Sequence, residues 1–150
     1  MKLKIIAVIV SLLFIGCEEL LNVEATSMTI ERVKLEKLPF SDGSGLAWDE
    51  LSGPDIFIRF EEENVTGGIE TGTNQDISPS DLPVTWSMSP TFTLGDFSNM
   101  LEIYIYDEDV LSDDFIDGAA FEFDPSETPD TWTLDVSDNL QITIEVSYEF

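Results

Sequence analysis

The sequence contains no histidine and a single cysteine, Cys17. Without an imidazole there is no Ser-His-Asp or Cys-His nucleophilic site and no histidine-ligated zinc, and one cysteine cannot close a disulfide within the chain. Basic residues are almost as scarce: six Lys and Arg stand against 31 Asp and Glu, a formal net charge of −25 at pH 7. So negative a chain repels a phosphate backbone, which excludes nucleic acid as a partner, and it approaches anionic surfaces only where divalent cations bridge the two. No stretch shows convincing amphipathic helical spacing, and there is no internal repeat or low-complexity tract. What is present, 43% hydrophobic residues over 150 positions, suffices for one domain with a sizeable core.

The N-terminus departs from the rest. Met1-Lys2-Leu3-Lys4 and the apolar run 5–15 make a basic segment followed by a hydrophobic one too short to span a bilayer comfortably. Leu13-Phe14-Ile15-Gly16-Cys17 resembles the signal of bacterial lipoproteins. That resemblance implies removal of residues 1–16, lipidation of Cys17, and a tether over 17–26 to a bacterial outer membrane, on its periplasmic or its cell-surface face. The alternative is an ordinary secretory signal, or an anchor helix, with an incidental cysteine. Loss of Lys2 and Lys4 with the signal leaves four basic against 31 acidic residues, a net charge of −27.

Beyond the tether the pattern is alternation with period two, the signature of strands buried on one face. A first strand is predicted over 28–38, where Met28 and Ile30 share one parity and Val33 and Leu35 the other, so a bulge near Glu31-Arg32 must absorb the slip. Further strands are predicted over 55–60, weakly over 65–70, over 84–88 before Pro90 with a brief repeat at Phe92 and Leu94, over 101–106, 119–123 and 131–136, and most clearly over 140–150. Segments rich in Gly, Ser, Asp and Pro separate them, notably 39–54. About eight short alternating strands without helices predict an all-β, eight-stranded antiparallel sandwich over 27–150.

Carboxylates crowd at two strand ends. Residues 106–115 (Tyr-Asp-Glu-Asp-Val-Leu-Ser-Asp-Asp-Phe) put five of them into one turn, and Asp49 and Asp55 flank the entry to the second strand. Like charges this close raise one another's pKa and need either full solvation or a bound cation. Calcium is the natural cation, because it takes six to eight hard oxygen ligands in flexible geometry. From composition alone the solvated loop remains the competing reading.

Two stretches carry a second resemblance: Pro54-Asp55-Ile56-Phe57-Ile58, and Tyr106-Asp107-Glu108-Asp109 followed by Asp113-Asp114-Phe115-Ile116. With the order of strands around them, they resemble the C2 domain, a calcium-binding β-sandwich, in the circularly permuted form of phospholipases, over nearly all of 27–150. The resemblance implies that the two acidic loops meet at one end of the sandwich. It implies also that Asp49, Asp55, Asp107, Asp109 and Asp114 ligate calcium, with Asp107 and Asp109 best placed to bridge ions. Beside them Trp48, Val110 and Leu111 project towards a membrane or partner, the alternative being that Trp48 and Leu111 pack on each other and cap the core.

The expected function is that of a non-enzymatic, calcium-dependent binding module on the bacterial envelope, engaging phospholipid, an acidic glycan or an envelope protein. The alternative is a structural surface lipoprotein in which calcium only staples the loops and the working surface is the aromatic face of Phe57, Tyr104 and Tyr106. A carboxylate pair acting in glycoside hydrolysis is disfavoured, since so compact a sandwich leaves little room for a substrate cleft.

Overall fold

The computed structural model describes residues 23–42, 44–48, 52–109 and 112–150. The signal segment, Cys17, Asp49, Val110 and Leu111 lie outside the described residues. Eight strands follow in order: β1 Ser27–Lys37, β2 Ile56–Glu62, β3 Ile69–Glu70, β4 Val84–Leu94, β5 Leu101–Asp107, β6 Asp114–Phe121, β7 Thr131–Ser137 and β8 Leu140–Glu149. They form two four-stranded sheets, β4-β1-β8-β7 and β3-β2-β5-β6, in which every pairing is antiparallel. The chain is an all-β, two-sheet sandwich, as its alternation predicts.

The inward parity of each strand builds the core. Met28, Ile30, Val33 and Leu35 of β1 and Leu140, Ile142, Ile144 and Val146 of β8 face Ile56, Ile58 and Phe60 of β2 and Leu101, Ile103 and Ile105 of β5. Phe60 and Phe92 meet across the two sheets with ring centroids 6.0 Å apart. The bulge predicted in β1 lies between Ile30 and Arg32, where the register shifts against both β4 and β8. It switches the buried parity from even to odd numbers and so keeps the strand apolar on its inner side.

Three boundaries differ from expectation by more than two residues, the first being that of β3, which keeps only Ile69–Glu70 of the predicted 65–70. β4 continues through Pro90, with residues 88–91 standing opposite Glu31 alone. It is an edge strand, and a missing N–H at a bulge on an edge costs no central ladder bond. β6 starts at Asp114, five residues before the predicted Ala119, because pairing with β5 outweighs the poor strand propensity of Asp and Gly. The fold also takes in the end of the tether: Ala25 is buried and donates its N–H to Pro125 O, and Thr26 donates to Glu149 O.

Several loops close through short Asp–Ser turns. Asp42 accepts from the Ser44 hydroxyl and from the Ser44 and Leu46 N–H groups, Asp81 from Ser78, Asp96 from Ser98 and Asp124 from Ser126. These bonds favour the charged form and hold all four carboxyls below the ordinary 3.8, led by the serine hydroxyl for Asp42, Asp81 and Asp124 and by the Ser98 N–H for Asp96. A carboxyl depressed on folding contributes stability above its unfolded pKa and loses it as pH falls through the folded value. In a carboxyl-carbon NMR titration all four are expected to titrate below 3.8; a midpoint at or above that value would contradict the turns.

Candidate functional site

Because consecutive strands run in opposite directions, the loops after β1, β3, β5 and β7 gather at one end of the sandwich. Direct bonds join the first three. Ile56 and Asn74 exchange backbone hydrogen bonds of 2.9 Å, Ile77 N donates to Pro54 O, and Glu108 N donates to Asp55 O at 2.7 Å. Gly53 permits the closest of these approaches: a Cβ there would lie 1.9 Å from Ile77 O. Residues 54–56, 74–77 and 108 thus tie these three loops together, and Asp55 lies beside Asp107 among them.

Asp107 is the centre of that assembly. It continues the inward parity of Leu101, Ile103 and Ile105, so a carboxylate occupies what is otherwise a core position, and it is 1% exposed. Taking a carboxylate out of water costs several kcal/mol unless charge-assisted bonds compensate. Part of the compensation is the Asp55 N–H, which donates to Asp107 Oδ1 at 2.7 Å. Asp55 is oriented in turn, its Oδ1 accepting the Asp76 N–H at 2.7 Å. Asp76 holds a positive φ of 54°, a turn conformation that Asp tolerates better than most residues.

The register places the predicted ligands in a row. Ile56 pairs with Asp107 and Asp107 with Asp114, so Asp55, Asp107 and Asp114 sit at the ends of adjacent strands β2, β5 and β6. Asp109 and Asp114 are exposed, whereas Asp107 points inward. Among the described residues no group of three or more Asp, Glu, His or Cys side chains is gathered closely enough to hold a metal ion. The oxygen-only chemistry of the row suits calcium, the set is not drawn together among these residues, and Asp49 lies outside them.

Of the expected loop tips, Trp48 turns inward on its own loop: half-buried, it donates Nε1–H to Pro39 O at 2.9 Å. The exposed apolar residue of that stretch is Leu46, 68% accessible. Sequence reasoning missed the third loop. Asn74 and Asp76 line a cleft of about 440 Å³ with Gln75, Ile77, Asp81, Val84 and Thr85, beside the aspartate row. The signal was available in principle, since any strand between β2 and β4 must return the chain to this end, but β3 is two residues long and its pattern is faint.

The two-sheet sandwich superposes on known structures. No protein-family model matches the chain, and no curated protein does. Among solved structures, one titled as a C2 domain superposes with a TM-score of 0.58 at 13% identity, covering 83% of this chain and 98% of its own. The chain has the C2 fold. The human GIVD cytosolic phospholipase A2 in complex with a fluorophosphonate inhibitor and terbium chloride superposes with a TM-score of 0.59 at 22% identity. That match covers 85% of this chain but only 18% of the enzyme's. The pair of C2 domains of extended-synaptotagmin 2, calcium bound, gives a TM-score of 0.52 at 18% identity over 83% of this chain and 46% of its own. At the Asp107 end of this fold, Asp55, Asp76 and Asp107 form one hydrogen-bonded unit.

Proposed function

We propose that this chain is a non-enzymatic binding module that engages its target through calcium held by the loops at the Asp107 end. In that reading Asp49, Asp55, Asp107, Asp109 and Asp114 are the residues that would hold the ion, and the lipid on Cys17 anchors the module to a bacterial outer membrane. Calcium would neutralise the crowded carboxylates and offer a cationic surface to phosphate or carboxylate groups. The observation that carries the reading is the inward Asp107: the sandwich spends a core position of β5 on a carboxylate, and does so where three loops meet. The exposed Leu46 supplies an apolar contact that would accompany a lipid head group.

A second reading rests on a different surface. On the outer face of the β2-β5-β6 sheet Phe57 stacks on Tyr106 at 5.1 Å, and Phe115, 54% exposed, packs edge-on against Tyr106 at 5.7 Å and near Tyr104 at 6.4 Å. Such an aromatic row suits a protein partner, and in that case calcium would only staple the loops.

Co-sedimentation separates the two. The chain beginning at Glu18, freed of its lipid, is expected to sediment with phosphatidylserine vesicles or an acidic polysaccharide gel in millimolar calcium and to stay in solution in chelator. Capture that is absent from both, or the same with and without calcium, would contradict the first reading and turn attention to the aromatic row.

A further inference from the structure

A second cleft, of about 360 Å³, lies between loop 38–55, the start of β6 and the β7–β8 turn. Pro39, Trp48 and Ile116 give it apolar walls, and Ser41, Asp42, Asp117, Ser137 and Asn139 polar ones. The charged residues among this lining are both carboxylates. Two strands depart from regular pairing to build it. In β6, Phe115 pairs with Tyr106 and Asp117 with Ile105, so Ile116 is the extra residue of a bulge. In β7, the register against β8 shifts between Asp135 and Ser137. Bulges re-aim side chains, and here both deliver lining residues to the same cleft.

The polar groups are held before any ligand arrives. Asp42 is locked by the Ser44 and Leu46 N–H groups and by the Ser44 hydroxyl, and Asp117 Oδ1 accepts the Gly118 N–H at 2.9 Å. Trp48 is fixed by its bond to Pro39 O. These bonds fill Asp42 Oδ1, and the Ser44 hydroxyl also reaches Oδ2 at 2.9 Å, so acceptor capacity remains on Asp42 Oδ2 and on the Asp117 carboxylate. An indole is the best aromatic partner for a cation, and walls of Pro, Ile and Trp favour one whose charge is sheathed in alkyl groups over a strongly hydrated metal ion. We propose that this cleft binds a small organic cation carrying an alkylated ammonium group, with Trp48 as its aromatic wall and Asp42 and Asp117 as its counter-charges. This site shares loop 38–55 with the calcium-binding end but does not rest on calcium being bound.

The test is an NMR titration of the full chain, in a non-ionic detergent and with chelator throughout, using tetramethylammonium and choline as probes. The Trp48 indole N–H signal, assigned by its loss in Trp48→Phe, is expected to shift saturably with an affinity on the order of 1 mM, while those of Trp86 and Trp132 stay in place. Asp42→Asn and Asp117→Asn keep a carbonyl acceptor for the local turns and are each expected to weaken binding at least about fivefold. Glycerophosphocholine, a water-soluble phosphatidylcholine head group, in place of the free probes decides whether the ammonium is a solute or a head group: a Trp48 shift by glycerophosphocholine as well as by choline assigns a head group, and a shift by choline alone assigns a solute. The proposal is overturned if neither probe moves the Trp48 signal. It is overturned equally if both Asn variants bind as tightly as the parent.

Discussion

Phe60→Ala is expected to lower the unfolding free energy by about 3–5 kcal/mol, the range for removing a buried phenyl ring and leaving a cavity. Phe60 is fully buried on β2, its ring meets Phe92 of the opposite sheet, and no other described aromatic pair joins a strand of one sheet to a strand of the other. A domain of this size has only about 5–15 kcal/mol in total, so a large fraction of the stability rests on that position. Urea unfolding followed by tryptophan fluorescence measures it, with Phe60→Leu as the milder control. The residue lies towards the end of β2 remote from Asp55, so under conditions where the variant is still folded its response to calcium should match the parent's. A loss of less than about 1 kcal/mol would mean that the two sheets are not held together where the structure places their contact.

Asp107 should behave in the opposite way, with a modest effect on the fold and a decisive one on ion binding. Asp107→Ala removes the acceptor of the Asp55 N–H and is expected to cost about 1–3 kcal/mol in chelator, the range for orphaning a partner of a charged group. Asp107→Asn keeps an acceptor carbonyl and removes a charge from a chain of net −25, so in chelator it should melt at or above the parent's temperature. In calcium the order reverses. An ion present at ten times its dissociation constant stabilises the parent by about 1.4 kcal/mol, a rise of roughly 3–6 °C in melting temperature, and the Asn variant should gain almost none of it. Parallel melts of both variants with and without calcium check this, and a variant that keeps the full calcium shift would remove Asp107 from the site.

Most of the sandwich was legible because two-fold alternation is a strong signal wherever one face of a strand is buried. The slip between Ile30 and Val33 even located a bulge. The elements misplaced are those that alternation specifies poorly: β3, two residues long, and the first half of β6, an edge segment whose Asp and Gly residues carry little strand propensity. The site was legible in part. That Asp55, Asp107 and Asp114 come to one end followed from strand order, and the register places them on neighbouring strands. That Asp107 faces inward could also have been read, since it sits two residues beyond Ile105 on the buried parity. The bond from Asp76 to Asp55 could not, because it joins residues 21 positions apart through a turn that no periodic pattern encodes. That Trp48 turns inward was one of two alternatives in the sequence, and its bond to the Pro39 carbonyl favours it.

The measurement closest to the central claim is a calorimetric titration of the chain beginning at Glu18 with calcium, repeated on Asp107→Asn/Asp109→Asn. The account predicts saturable binding with dissociation constants of about 0.1 to 1 mM, lost in the double variant. A flat titration of the parent, or binding that survives the loss of both carboxylates, would contradict it.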